Sequence, residues 1–366
     1  MKRIARLLLV VAIPLSVASI CSAEIVDTGI VIDSRATLKP LYWWDDDNLL
    51  VSGVRADRKT GDPKGWRLLR YKPSNGSVID MGSFGGALCV ANGFIRFWRP
   101  TPETEERMLT DQKRIRLTGS LENLVEEHRP LPPPSPRPPS YNELSNCKFP
   151  DELPAPEWLD AAQKSGRIFR PLKPEHGWME FIGEGGGPHA LPKYPIAILR
   201  PEERGNPVPV DIKAFQPWID RGETIRLVRY EAFKKAYLMA IADGGAGQTN
   251  GGYWWLYPDG RVEQILLYTR KKTTVQGGSY LHGIPAKDAF LRISVDNYPV
   301  DKSGLYLRRA DGSFKKLISG WAGDVSFSVS PDGCQVAIGI DTRWSRDKGP
   351  HQYRLHLINV CERNSK

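Results

Sequence analysis

The sequence predicts an all-β chain built from repeated four-stranded units. Short runs rich in β-branched and aromatic residues are separated by turn signals along the chain, and no segment shows a long helical period. The composition agrees, because 34 Gly and 30 Pro among 366 residues are typical of turn-rich β proteins. Hydrophobic residues make up 40% and charged residues 25% of the chain, which is the composition of a globular protein.

The repeat is clearest at the C-terminal end. Residues 325–330 alternate as a strand, Pro331-Asp332-Gly333 makes a tight turn, residues 334–340 form a second strand, and a third follows a polar loop at 353–360. The same order can be followed elsewhere, and second strands are predicted to begin at Leu49, Phe94, Gly177, Tyr237, Ala289 and Cys334. Four-stranded units that repeat at roughly 45 residues or more are typical of β-propeller blades. We therefore predict a six-bladed β-propeller, or a seven-bladed one if a degenerate blade lies in residues 122–158.

The N-terminal segment predicts how the ring closes. Residues 28–33 form a lone strand without a unit of their own, and the last unit has three strands before the chain ends. Pairing of this strand as the fourth strand of the last blade would cover an edge that could otherwise pair with another chain.

One stretch carries a family resemblance. Ser328-Val-Ser-Pro-Asp-Gly-Cys-Gln-Val-Ala337 resembles the S-x-S-P-D-G-x-x-[ILV]-A repeat of TolB-like (WD40-like) β-propellers. One unit matches well, and the others keep the strand pattern and the x-D-G or N-G turns. The resemblance implies propeller geometry, but it does not select a function, because the superfamily includes binding modules, peptidase propellers and lyases.

The N-terminus has the order of a secretory signal. Lys2, Arg3 and Arg6 precede an uncharged stretch at 7–20, and Cys21-Ser22-Ala23 places small residues before a cut at Glu24. The alternative is a retained anchor, but the stretch is shorter than the ~20 residues that a spanning helix needs. We expect a signal peptide at 1–23 and a single domain at 24–366, located in the periplasm or secreted, with no transmembrane segment after cleavage.

The cysteines remaining after cleavage predict disulfides. They are Cys89, Cys147, Cys334 and Cys361, an even number in an exported chain. Antiparallel pairing of the last two predicted strands brings Cys334 beside Cys361. Four cysteines allow three pairings, and of these we favour the one that also joins Cys89 to Cys147. No C-x-x-C motif or paired histidines indicate zinc, so we expect no metal and no cofactor.

A proline-rich insertion interrupts the repeat at about 122–158. Residues 129–140 are dense in proline and should be extended. This segment is either a surface excursion of the second blade or a strap that docks a partner.

The predicted long loops fall on one face. They join second to third strands, whereas the short turns lie on the opposite face. Functional loops commonly cluster on a rigid scaffold. The candidate binding residues on this face are His189, Asp243, Asn250, Asn297, Tyr298, Trp344 and His351. Trp178, Trp321 and Trp344 are candidate sugar-stacking platforms, although packing between blades is the alternative.

The sequence contains no recognised catalytic signature. It lacks a G-x-x-x-x-G-K-[ST] loop, a G-x-S-x-G elbow and an H-E-x-x-H motif. We therefore predict a binding or scaffold protein that recognises a protein or an envelope glycan, and no nucleic acid, through its long-loop face. The alternative is a polysaccharide lyase or glycoside hydrolase with carboxylates at the axial channel, for which the candidates are Glu184, Asp243, Asp296 and Asp341. A purely structural envelope component is a third possibility.

Overall fold

A computed structural model describes the strands and short turns of the chain. The described residues are 23–33, 41–55, 66–84, 86–91, 94–100, 114–126, 164–165, 167–183, 192–200, 207–220, 224–242, 252–267, 280–295, 303–309, 311–320, 327–341 and 352–361.

The described residues are almost entirely β-strands, which fall into six groups of four. Sheet A contains β2 (Leu41–Asp45), β3 (Asn48–Arg55), β4 (Trp66–Lys72) and β5 (Ser77–Phe84). Sheet B contains β6 (Gly86–Ala91), β7 (Phe94–Pro100), β8 (Arg114–Gly119) and β9 (Leu124–Glu126). Sheet C contains β10 (Ile168–Pro171), β11 (Trp178–Gly183), β12 (Pro192–Leu199) and β13 (Val208–Pro209). Sheet D contains β14 (Thr224–Glu231), β15 (Ala236–Ala242), β16 (Gly252–Leu256) and β17 (Val262–Leu267). Sheet E contains β18 (Tyr280–Pro285), β19 (Phe290–Val295), β20 (Gly304–Arg308) and β21 (Phe314–Ser319). Sheet F contains β22 (Phe327–Val329), β23 (Gln335–Ile340), β24 (Gln352–Asn359) and β1 (Glu24–Asp33).

Sheet F is built from both ends of the chain. β1 pairs antiparallel with β24 from Glu24 opposite Asn359 to Asp33 opposite Gln352, with an irregularity between Asp27 and Val31. A single pair between β1 and β3 joins sheets A and F into one eight-stranded sheet. The N-terminal strand therefore lies beside the third strand of the last unit, as the sequence predicts.

Helical structure is minor in the described residues. Two 3-10 helices span Pro174–His176 and Ile212–Phe215, and α1 spans Gln216–Ile219. No helix within the described ranges has the length and apolar character needed to cross a membrane. The segment predicted as an insertion at 122–158 begins with the fourth strand of sheet B, since β9 occupies 124–126, and residues 127–163 lie outside the described residues.

The core lies between neighbouring sheets. Alternate residues of β15 face opposite sides, as the pleat requires. Tyr237, Met239 and Ile241 pack in a cluster shared with sheet C, whereas Ala236, Leu238 and Ala240 pack in a cluster shared with sheet E. β15 is thus buried on both faces, which explains why its residues are apolar throughout instead of alternating between apolar and polar.

Hydrogen bonds tie neighbouring sheets at the edge that carries the short turns, here called the short-turn edge. Asp211 N donates to Gly260 O over 3.0 Å between sheets C and D, and Lys287 N donates to Gly333 O over 3.0 Å between sheets E and F. Asp332 N donates to Asp46 Oδ1 over 2.8 Å between sheets F and A. At the opposite edge, here called the long-loop edge, the second strand of each sheet ends and the third strand begins, as at Ala242 and Gly252 of sheet D.

The first strands of several sheets approach one another. Trp43 Nε1 of β2 donates to Ser328 O of β22 over 3.1 Å. The Arg229 guanidinium of β14 lies 4.9 Å from the ring centroid of Phe327 in β22, although sheets D and F are separated along the chain by sheet E. We call β2, β14 and β22 the inner strands, because each contacts another of the three. Outer strand β5, by contrast, exposes 48% of Val78 and 43% of Ile79.

The predicted disulfide between Cys334 and Cys361 is confirmed. The two Cα atoms are 5.0 Å apart, and Val360 N donates to Cys334 O over 2.9 Å beside them. The bond fastens the end of β24 to the start of β23, where antiparallel pairing brings both residues together. The predicted bond between Cys89 and Cys147 falls outside the described side chains.

Candidate functional site at the inner strands

The predicted binding residues cannot be placed, because all seven (His189, Asp243, Asn250, Asn297, Tyr298, Trp344 and His351) lie outside the described residues. The same holds for Trp321 and for three of the four carboxylates proposed for an enzyme, Glu184, Asp243 and Asp296. The fourth, Asp341, follows β23 at the long-loop edge and is 6% exposed. Trp178 is half-buried at the start of β11. Within the described ranges, no group of metal-ligating side chains is present.

The described residues do form a polar site on the inner strand of sheet D. β14 has an irregularity between Leu227 and Arg229, which adds one residue to the strand. As a result, Arg226 and Arg229 lie opposite Ala240 and Leu238, residues that both belong to the cluster shared with sheet E. Glu231 lies on the same face, opposite Ala236. Two guanidinium groups and one carboxylate thus share a face whose neighbours on β15 are apolar.

Arg229 is held from two directions. Its Nε donates to Glu231 Oε1 in a short hydrogen bond, and its guanidinium stacks on Phe327. The Arg229 side chain is 27% exposed and that of Glu231 is 6% exposed. A planar guanidinium fixed by a carboxylate and an aromatic ring keeps its remaining N–H groups in one orientation.

Burial controls the charge of this pair. Desolvation raises the pKa of Glu231, and the charge and hydrogen bond of Arg229 oppose that rise. The site contains two guanidinium groups, those of Arg226 and Arg229, and one carboxyl group. The site therefore carries a net positive charge when Arg226 is included, even with Glu231 ionised.

Two nitrogen atoms of this site have no hydrogen-bond partner in the part of the chain that the structure describes. They are Nη2 of Arg229 and Nε of Arg226, and both atoms are buried. A buried donor without a partner costs roughly 1–3 kcal/mol, and more when it is charged. An acceptor that reaches these nitrogens is therefore favoured, which makes this cluster, here called the inner-strand site, the candidate binding site.

Sequence reasoning missed the inner-strand site for a specific reason. In a regular strand, side chains three residues apart point to opposite faces, so Arg226 and Arg229 would be separated. The irregularity at Leu227 and Arg229 brings both onto one face. No Gly or Pro occurs in the run Thr224 to Glu231, so no residue type indicates the irregularity in advance.

Comparison with known proteins does not assign a family. No protein-family model and no curated protein sequence match the chain. Among solved structures, it is similar to the oligogalacturonate lyase of Vibrio parahaemolyticus, with 11% identity and a TM-score of 0.37, covering 95% of this chain and 95% of that chain. An oligogalacturonate lyase in complex with manganese has 11% identity and a TM-score of 0.32, covering 88% of this chain and 77% of that chain. TolB from Acinetobacter baumannii has 11% identity and a TM-score of 0.25, covering 88% of this chain and 55% of that chain.

Proposed function

We propose that this chain is an exported β-propeller that binds another macromolecule, a protein or an envelope glycan, at the opening between its inner strands. In this proposal the six four-stranded sheets are the blades, and sheet F closes the ring. The observation that carries the binding role is the buried Nη2 of Arg229, a charged donor without a hydrogen-bond partner among the described residues.

The direction of β14 supports entry of the ligand from the long-loop edge. Thr224 pairs with Ala242, directly before the connection at 243–251, whereas Glu231 lies at the short-turn edge. Arg226 is therefore nearer to the long-loop edge and Arg229 lies deeper. A ligand held by the predicted long-loop residues would meet Arg226 first. In this proposal the long loops and the inner-strand site therefore bind different parts of the same ligand.

The chemistry of the inner-strand site favours a ligand rich in hydrogen-bond acceptors. Guanidinium groups bind carboxylates and phosphates with planar geometry, and they also donate hydrogen bonds to hydroxyl and carbonyl oxygens. Phe327 offers an apolar ring beside the donor. The Cys334–Cys361 disulfide supports an oxidising compartment, where such bonds persist.

One observation favours the alternative function, a polysaccharide lyase or glycoside hydrolase. Burial raises the pKa of the Glu231 carboxyl, and perturbed carboxyls beside a cation are common in acid–base catalysis. Glu231 would then act as the proton donor or acceptor, and Arg229 would position it. This alternative predicts turnover of a glycan that the wild-type chain binds.

The test compares two arginine variants of sheet D. Arg229→Gln removes the open donor, and Arg261→Gln is the matched control, because Arg261 also stacks on an aromatic ring, 3.7 Å from the centroid of Tyr257, but is 58% exposed outside the inner strands. The mature chain is titrated by calorimetry with a panel of acidic and neutral envelope glycans, and cross-linked to proteins of a periplasmic extract.

The proposal expects at least one ligand that saturates the wild-type chain and the Arg261→Gln variant, and that binds Arg229→Gln about 10-fold or more weakly. Equal loss in both variants would refute the assignment to the inner-strand site, and a panel without any saturable ligand would refute the binding function. Product analysis with the wild type and Glu231→Gln separates the two functions. Turnover of a glycan by the wild type that the variant loses would establish the enzyme. If the wild type leaves a bound glycan intact, enzymatic activity on that glycan is excluded.

A further inference from the structure

A second polar cluster lies at the short-turn edge, between sheets C and D. Its residues come from the connection between β10 and β11 (Lys173, Glu175 and His176) and from the facing pair Tyr230 and Tyr237 of β14 and β15. Tyr230 projects from the face of β14 opposite to Arg229 and Glu231, toward the cluster shared with sheet C. This C–D cluster is therefore separate from the inner-strand site and does not depend on its function.

The connection that carries His176 is fixed to the sheet below it. Pro174–His176 forms a 3-10 turn, and Gly177 N donates to Lys173 O over 3.0 Å. Gly177 has a φ of +82°, and a Cβ there would lie 2.1 Å from the carbonyl oxygen of Leu199. A side chain at this position is excluded, so the turn packs directly on β12 and presents His176 in one position.

The buried hydroxyl of Tyr237 organises the cluster. Lys173 N donates to Tyr237 Oη over 2.9 Å, and Nδ1 of His176 lies 2.7 Å from the same oxygen. Burial raises the pKa of Tyr237, so the hydroxyl keeps its proton. Oη accepts from the backbone N–H, and its hydroxyl hydrogen is available to donate to Nδ1; in the other tautomer Nδ1–H donates to Oη.

This hydrogen bond is coupled to the tautomer of His176. If Nδ1 accepts, the ring proton of neutral His176 resides on Nε2. Burial lowers the pKa of His176, and the charges of Lys173 and Arg200 act in the same direction against that of Glu175, so the neutral form is favoured. Nε2–H has no hydrogen-bond partner within the described ranges, and His176 is partly exposed.

A cation lies against the same tyrosine ring as the imidazole of His176. The Lys173 ammonium is 4.4 Å from the ring centroid of Tyr230, and the imidazole centroid of His176 is 5.6 Å from that of Tyr230. Lys173 also pairs with Glu175 at 3.6 Å, with the two side chains 45% and 59% exposed. Such an exposed ion pair is weak and readily exchanged for a better-placed acceptor.

From this geometry we propose that the C–D cluster is a binding site for a carboxylate group, which accepts the Nε2–H of His176 and contacts the ammonium of Lys173 beside the Tyr230 ring. A carboxylate suits the site because its oxygens are acceptors only, as the pairing of one N–H donor with one ammonium requires. The incoming group displaces the exposed contact between Lys173 and Glu175.

The test follows the histidine ring nitrogens by NMR in the full mature chain. Two-bond ¹H–¹⁵N spectra report the tautomer of His176, and the buried His356 of sheet F is an internal reference for an intact fold. The probes are acetate, D-glucuronate and the dipeptide acid N-acetyl-Ala-Ala, with the methyl ester of glucuronate as the uncharged control. The three acids share the carboxylate and differ in their source, so their relative affinities identify whether a small acid, a sugar acid or a peptide terminus fits best.

The proposal expects the Nε2–H tautomer before any ligand is added, and saturable shifts of His176 with the acids at concentrations on the order of millimolar. Lys173→Met should weaken binding about two- to fivefold. Tyr237→Phe should abolish the tautomer preference, and the buried Tyr71→Phe of sheet A serves as its matched control. Shifts that do not saturate, that appear equally with the methyl ester, or that persist unchanged in Lys173→Met would overturn the proposal. If a variant disturbs the His356 signal, the wild-type comparison of acid with ester decides alone.

Discussion

The disulfide between Cys334 and Cys361 gives the sharpest stability prediction. The bond joins residues 27 positions apart, and the closed loop contains β23, β24 and the connection between them. Replacing both cysteines by serine removes the cross-link without introducing a bulky side chain. The folded state keeps the strand pairing that brings the two residues together, so the main effect falls on the unfolded chain.

The magnitude follows from the size of the loop. In the chain-entropy description, a cross-link that closes a loop of this length restricts the unfolded chain by about 3.5 kcal/mol at 25 °C. We expect the Cys334→Ser/Cys361→Ser variant to lose about that much free energy of unfolding, with a lower urea midpoint. The dependence on urea should be slightly steeper, because the unfolded chain is more expanded.

The measurement is urea unfolding followed by tryptophan fluorescence. A background with Cys89→Ser and Cys147→Ser leaves the Cys334–Cys361 bond as the one target for a reducing agent. In that background, reduction should shift the midpoint as far as the double substitution does, and reduction of the variant that lacks Cys89, Cys147, Cys334 and Cys361 should shift nothing.

A loss below about 0.5 kcal/mol would refute this reasoning. It would mean that the unfolded chain is already restricted in this region, or that strain in the folded state offsets the gain. If only the amides of β24 and β1 lose protection against hydrogen exchange, the disulfide instead acts on local opening of sheet F.

Three further predictions concern single sites. Burial holds the pKa of His356 below its ordinary value, so the contribution of neutral His356 to stability is complete above about pH 6.5 and is lost as the pH falls. On acidification, the wild type should therefore lose free energy of unfolding that the His356→Gln variant retains. Parallel pH profiles of the two proteins would contradict this. Gly283→Ala should destabilise the fold by about 1–3 kcal/mol in urea, because its Cβ would lie 2.5 Å from Cε2 of Tyr253, and an unchanged midpoint would disprove that contact. Arg229→Met should lower the free energy of unfolding by about 3 kcal/mol, because it leaves the Glu231 carboxylate buried without its partner. Adding Glu231→Leu should recover most of this loss. A double variant as unstable as Arg229→Met would exclude a coupled pair.

The fold was largely predictable because its signals are local. Alternation and tight turns predicted strands at 49–55, 66–72, 237–242 and 334–340, close to β3, β4, β15 and β23. The pairing of Cys334 with Cys361 followed from the same strand geometry. Where two strands share a short turn, their register is set by a few neighbouring residues, so one sequence is enough to predict it.

The candidate sites were not predictable because they depend on contacts between sheets. His176 meets Tyr237 across the boundary of sheets C and D, and neither residue type nor spacing indicates that the two meet. The inner-strand site likewise needs both the irregularity in β14 and the approach of Phe327 from sheet F. Side chains that come together only after neighbouring sheets pack leave no periodic trace in the chain.

The composition of sheet F has a consequence for how the protein is made. Its four strands include the first and the last strands of the described chain, and β24 lies between β23 and β1. During synthesis β1 emerges long before β24, and until then the single pair with β3 is its strand contact among the described residues, so sheet F can assemble only after residue 359 has been added. A premature stop before residue 352 would therefore leave an unpaired N-terminal edge and a lone thiol at Cys334, and such a truncated product should aggregate or be degraded rather than persist as a shorter folded protein.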